Sequence, residues 1–238
     1  MADAQFGKQT GSTVRYGQQT GSTSTISGHK VLRQTYTLLA ITLIWSAFAA
    51  VTSMLLNPPH MVALMCMLGG FGMLFFLNKV ANSAKALYWV FAFTGLMGFA
   101  LGPMLNSYVM SSASGTFHIF QALSTTGAIF LSLSGYTLIS KKDFSFMGGF
   151  LMVGLWVVIG AIVFNLIASL MGYPISGFHM AISSMVVFLM SGLIMFDTSR
   201  ILHGGETNYI MATVTLYISI YNLFLSLLQI LGIFGGDD

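Results

Sequence analysis

Residues 146–171 read FMGGFLMVGLWVVIGAIVFNLIASLM, a run of 26 residues without one charged side chain. A membrane-spanning helix needs about 20 predominantly apolar residues, within a range of about 17 to 25. This stretch is therefore long enough to cross a bilayer as a single helix. Working outward from it, six more runs qualify: Thr35–Leu56, Met61–Leu77, Ala86–Leu105, Phe117–Ile139, Phe178–Phe196 and Ala212–Phe234. A transmembrane barrel would need short strands of alternating polarity. These runs are long, continuous and rich in Leu, Met, Ala and Gly. The fold class is all-α, a polytopic membrane protein of seven transmembrane helices. The breaks between runs agree: Asn57-Pro58-Pro59-His60 and Met171-Gly172-Tyr173-Pro174 place proline where a helix interior would lose an N–H donor.

Composition excludes the alternatives. Only 6% of residues are charged and 55% are hydrophobic, against about 25% charged in an ordinary soluble chain; mean hydropathy is +0.83. Nine basic and six acidic side chains cannot cover the surface of a soluble fold of 238 residues. The apolar fraction excludes a disordered or collagenous chain. The single cysteine, Cys66, excludes a disulfide scaffold and reads as small packing.

Lysine and arginine collect on the cytoplasmic side of membrane proteins. Lys8, Arg15, Lys30 and Arg33 precede the first run, Lys79 and Lys85 follow the second, Lys141 and Lys142 the fourth, and Arg200 the sixth. With seven crossings all nine fall on one face, whereas a miscount by one would scatter them. The expected topology is an inner (plasma) membrane protein with a cytoplasmic N-terminus and a periplasmic C-terminus at Asp237-Asp238.

Residues 1–29 are expected to form a disordered cytoplasmic tail ahead of a membrane domain at 30–238. Gln9-Thr10-Gly11-Ser12-Thr13 recurs as Gln19-Thr20-Gly21-Ser22-Thr23, and Gly, Ser, Thr and Gln without apolar periodicity cannot bury enough surface to offset ordering entropy. Such a tail is either an idle leader or a loose end that an unfolding protease can grip.

Catalytic signatures are missing from the sequence: no HExxH, no GxSxG and no GxxxxGK[ST] occurs. No enzyme activity, cofactor, metal or nucleic-acid partner is expected. His203-Gly204-Gly205-Glu206 would give a metal-ligand spacing only in a helix, and its paired glycines indicate a turn. Gly98 and Gly102 form a GxxxG pair in the third run, read as packing within the bundle or, less readily, as a dimer contact.

Two features concentrate polarity inside the membrane. In the seventh run Thr215, Ser219, Asn222, Ser226 and Gln229 recur every three or four residues and so share one helix face. That face serves either interhelical hydrogen bonding or a hydrophilic pathway. Asp197 ends the sixth run, with Arg200 one turn on and Lys79 at the same membrane level as possible cationic partners. It is either a structural ion pair or a proton-sensitive gate.

His203-Gly204-Gly205-Glu206-Thr207-Asn208-Tyr209-Ile210, Ala212-Thr213-Val214-Thr215-Leu216-Tyr217 and Tyr221-Asn222-Leu223-Phe224 together resemble the bacterial Bax inhibitor family. His29–Tyr36, Phe91–Gly95, Gly102–Asn106 and Lys142–Phe146 are similar too, so the resemblance covers nearly everything from residue 29 onward. It implies a seven-helix bundle whose last helix is enclosed by the other six. His203, Glu206, Asn208 and Tyr209 become a cytoplasmic motif. The resemblance also implies two functions. One is restraint of FtsH, a membrane-anchored ATP-dependent zinc protease, by a substrate that resists extraction. The other is a pH-sensitive calcium leak controlled by paired aspartates on the last two helices. The first aspartate of that pair corresponds to Asp197 and the second to Ser219. Two carboxylates can share a proton through like-charge repulsion, and an aspartate facing a serine cannot. Asp197, Ser219, Asn222, Arg200 and Lys79 are the candidate proton- or ion-sensing residues.

Overall fold

The computed structural model of the chain describes residues 20–83, 85–111, 114–173 and 177–234. Seven long helices follow one another: α1 Thr20–Leu56, α2 His60–Val80, α3 Ala86–Ser111, α4 Gly115–Ser140, α5 Gly148–Leu170, α6 Phe178–Leu202 and α7 Tyr209–Phe234. A 3-10 turn at Ser145–Met147 leads into α5. All seven helices are long and apolar enough to cross a membrane.

Most helix ends sit within a few residues of the apolar runs; α3 and α6 continue further, to Ser111 and Leu202, and the largest departure is at the start of α1. α1 begins at Thr20 and takes in the last ten residues of the segment assigned to the tail. Once a helix is nucleated in its apolar part, each further residue adds a hydrogen bond without the nucleation cost. Residues 1–19 lie outside the described residues.

The packing has a centre and two flanks. α1, α3, α4, α6 and α7 pack on one another, while α2 lies against α3 and α5 against α6 and the 3-10 turn. α7 packs chiefly on α1, α3, α4 and α6, four of the six helices expected to enclose it. The outer helices have little reason to reach it. α2 and α5 expose bulky apolar side chains such as Met65, Phe75, Trp156 and Phe164, which lipid accommodates without cost.

Small residues set the closest approach. α1 and α3 make the most extensive helix pair. A Cβ on Gly98 would collide with the Ser46 carbonyl, and one on Gly102 with Ser53. The GxxxG pair therefore works inside the bundle. Around it the Trp45 indole N–H donates to Phe91 O at 3.0 Å, and the Asn106 amide donates to Met54 O at 3.0 Å. Tyr217 of α7 lies at the meeting point of three helices. Its hydroxyl is 2.6 Å from Ser46 Oγ and donates to Thr94 O, and its ring packs edge-on against Phe93.

Candidate functional site

The loops at the basic end of the bundle are bound to one another. α6 ends at Leu202, and Gly204 takes a left-handed backbone (φ 76°) that a side chain would strain. Gly205 N–H and Glu206 N–H then both donate to Arg200 O, at 2.8 and 3.2 Å. The paired glycines do form a turn, as their sequence indicates. Asn208 starts α7: its Oδ1 accepts from Ile210 N–H at 2.9 Å and Met211 N–H at 3.3 Å, a side-chain N-cap. Its Nδ2 reaches the other way, donating to Ala81 O at 3.0 Å and Asn82 Oδ1 at 2.9 Å. One side chain thus ties the start of α7 to the turn between α2 and α3.

Glu206 braces the same turn. Its Oε1 accepts from Asn208 N–H at 2.9 Å, and its Oε2 lies 3.5 Å from Arg200 Nη2. The Arg200 guanidinium also lies over the Phe196 ring, 5.5 Å from its centroid. His203 turns away from Glu206: Nδ1 is 2.9 Å from Ser199 O and Nε2 is 3.2 Å from Lys141 O. The two residues with a metal-like spacing in sequence therefore serve different partners. Tyr209 contributes its carbonyl to the Thr213 hydroxyl, which also approaches Thr35 O of α1.

The α4–α5 connection, part of the stretch Lys142–Phe146 that carries the family resemblance, joins through residues that were not among the candidate site residues. Phe144 N–H donates to Ser199 Oγ at 2.9 Å, and Ser145 N–H donates to Asp143 Oδ1 at 2.8 Å. The Ser145 hydrogen bonds, with His203 nearby, hold the Asp143 carboxyl below the usual carboxylate range. Deeper, Tyr36 OH lies 3.1 Å from Thr198 Oγ1, which is 3.3 Å from Ser134 Oγ, so α1, α6 and α4 meet through three hydroxyls. The Asp-x-Ser spacing at Asp143 was a readable turn signal. Ser199, Thr198 and Asn82 carried none.

Asp197 lies one turn inside this layer and is 8% exposed. Thr215 of α7, Arg200 and Glu206 are the polar neighbours that act on it electrostatically, while the Thr215 hydroxyl donates to Ala212 O of its own helix at 3.2 Å. The Arg200 guanidinium forms its ion pair with Glu206, and among the described residues no ion pair joins Asp197 to Arg200 or to Lys79. Ser219 is buried one turn beyond Thr215, and among the described residues no hydrogen bond joins it to Asp197. The polar face of α7 is met locally: Asn222 Nδ2 donates to Ile218 O at 2.8 Å, and Gln229 Oε1 accepts from Ser183 of α6 at 2.8 Å. A cavity of about 370 Å³ touches another side of α7, lined by Tyr217, Ile220, Tyr221 and Phe224 with apolar residues of α1, α3 and α4. The polar stripe and this cavity therefore do not coincide.

Comparison with known proteins matches residues 28–236 to the family described as "Inhibitor of apoptosis-promoting Bax1". An uncharacterized membrane protein of Vibrio cholerae serotype O1 is 50% identical over 215 residues, covering 90% of this chain and 94% of the relative. From Escherichia coli strain K12, the protein named modulator of FtsH protease YccA is 45% identical over 215 residues, covering 90% of this chain and 95% of its own. Its counterpart in E. coli O6:H1, at the same identity and coverage, is named an inner membrane protein.

Proposed function

The chain belongs to the Bax inhibitor family, and on that premise we propose that it is an inner-membrane modulator of the FtsH protease rather than an enzyme. The observation that carries this reading is 45% identity over 215 residues to a relative whose name states that role. The match runs through the whole bundle and is not confined to one motif.

The packing supplies a mechanism. By the positive-inside rule the end bearing Lys79, Lys85, Lys141, Lys142 and Arg200 faces the cytoplasm, together with the N-terminus. A protease that pulls on the N-terminal segment loads α1 first. α1 also belongs to the most extensive helix pair, held through its contact with α3 at Gly98 and Gly102, the Trp45 and Asn106 hydrogen bonds, and the Ser46–Tyr217 hydroxyl contact. A substrate that offers a grip but resists the first step of extraction occupies the protease and restrains it.

The test is affinity purification from native membranes in mild detergent, followed by turnover measured with and without FtsH. Enrichment of FtsH above control membrane proteins, and slower turnover on deleting residues 1–19, are the expected results. Absence of FtsH from a preparation that retains other native complexes would overturn the reading.

A further inference from the structure

The cavity beside α7 is a cleft with its mouth on the lipid side. α1 and α4 both pack on α7 but hardly on each other. Small residues keep the space between them open: Ala47 and Ala50 on α1, and Gly127 on α4, where a Cβ would meet nothing. Ile220 and Phe224 of α7, both buried, form the floor. Phe130, which also lines the cleft, packs on the Tyr36 ring with centroids 5.8 Å apart, and so joins α4 to α1 at the end nearer the basic loops. Val51 of α1 and Leu123 of α4 line the cleft and are themselves exposed, which puts the mouth between these two helices.

Its depth and length are those of one leaflet. On α1 the lining runs from Leu43 to Met54, a span of about 16 Å at 1.5 Å per residue. Half of a hydrocarbon core of about 30 Å is about 15 Å. Leu43 stands at the middle of the membrane-crossing part of α1, His29–Leu56, so the cleft occupies the half of the bilayer away from the basic end. Its hydroxyls are already met. Ser46 Oγ lies 2.6 Å from Tyr217 OH, Thr126 donates to Ala122 O at 2.7 Å, and Tyr221 donates to Met97 O at 3.3 Å. A buried water needs two to four polar partners, and an apolar cavity of about 150 Å³ already stays dry and takes benzene. This one measures about 370 Å³.

We propose that the cleft binds one acyl chain of a bilayer phospholipid, from the leaflet away from the basic end. The chain lies along α1 and α4 with its flank on Ile220 and Phe224. Hydrocarbon tails border the mouth and are as apolar as the leucines inside it. Left unfilled, the cleft would forfeit dispersion contacts along both walls. A transmembrane helix is about 10 Å across, too wide to reach α7 between two helices whose rings meet at Tyr36 and Phe130. A single hydrocarbon chain is narrow enough, and its headgroup stays at the membrane surface beyond Met54. This inference stands apart from the FtsH reading and does not depend on it.

The test is photolabelling in liposomes with a phosphatidylethanolamine that carries a diazirine midway along one acyl chain, followed by peptide mapping. Lipid around the bundle labels outward side chains such as Val153 and Trp156, whereas only a chain inside the cleft reaches the buried Ile220 and Phe224. Labelling at those two α7 residues is the expected result for the parent. It should be lost in Gly127→Leu, which fills the cleft from α4, and in Ala47→Leu, which fills it from α1. Gly160→Leu, on α5 and with the same open space for a side chain, should keep it. The fold of each variant is checked by helical signal and resistance to denaturant. Parent labelling confined to outward residues would overturn the proposal. So would α7 labelling that survives in the folded filling variants, or that a diazirine fatty acid gives and the phospholipid does not.

Discussion

Replacing Asn208 tests how far the basic end acts as a lock. Asn208→Ala removes the acceptor that caps α7 and the two donations to Ala81 O and Asn82 Oδ1. Loss of an N-cap costs about 1 kcal/mol, and a neutral hydrogen bond contributes about 1 kcal/mol net. The bond to Ala81 O is half-buried and the one to Asn82 is exposed, so the sum is about 2 kcal/mol and not additive in detail. Asn208→Asp separates the contributions. A carboxylate caps as well as an amide but has no donor for the α2–α3 turn, so it should lose about half as much. The assay is reversible unfolding in mixed micelles, followed by helical signal, with all three proteins side by side. Asn208→Ala within about 0.5 kcal/mol of the parent, the range of an ordinary surface substitution, would refute the reasoning. Asn208→Asp equal to the parent would show that the link between loops contributes nothing and the cap everything.

Three further outcomes follow from the same geometry. Gly160 has open space where a Cβ would be, so Gly160→Ala should stabilise α5 by up to about 1 kcal/mol through helix propensity, measured in the same unfolding assay. Asp143, held below the usual carboxylate range, contributes to docking of the α4–α5 connection at neutral pH, and that contribution is lost as pH falls through its lowered pKa. Protection of residues 143–147 from hydrogen exchange, referred to the intrinsic rate at each pH, should therefore fall on acidification, and Asp143→Asn should lower it at neutral pH and flatten the acid response. With Ser219 where a second carboxylate would stand, reconstituted protein should pass no more calcium than empty liposomes between about pH 5 and 8, and a pH-dependent flux abolished by Asp197→Asn would contradict this.

The crossings were legible because hydrophobic length is a property of single segments. Nothing but a membrane helix accounts for 26 uncharged residues at 146–171. The turn at Gly204 and the acid at Asp197 were legible for a similar reason, since glycine pairs and intramembrane carboxylates are rare and carry local meaning. Neighbourhood was not. Thr215 is the α7 side chain that acts on Asp197 electrostatically, one turn from the position the family pattern brings forward, and that offset depends on how α6 and α7 are rotated against each other. Nor does a run of Leu and Phe tell a central helix from a flanking one. Lipid and core are equally apolar, so α2 and α5 read like α3 and α7 although they pack on the outside. Serines gave least of all: Ser199 gathers the α4–α5 connection, while among the described residues Ser124 has no hydrogen-bond partner.

The distribution of close packing bears directly on how the chain would restrain a protease. If extraction begins at the N-terminus, resistance depends on the first contact to break and not on the sum of all contacts. Gly98→Val probes that contact alone. The obstacle to a side chain there is the Ser46 backbone, which cannot rotate away as a flexible side chain would. Overpacking of this kind costs about 2 kcal/mol, and it falls on the α1·α3 pair while the loops around Asn208 and His203 stay joined. A loss of that size can raise the open population by up to about thirtyfold, so FtsH should clear Gly98→Val much faster than the parent. Its co-purification with FtsH should survive, because the substitution is confined to the α1·α3 contact. Unaltered turnover of a folded but destabilised Gly98→Val protein would mean that release of α1 does not limit extraction.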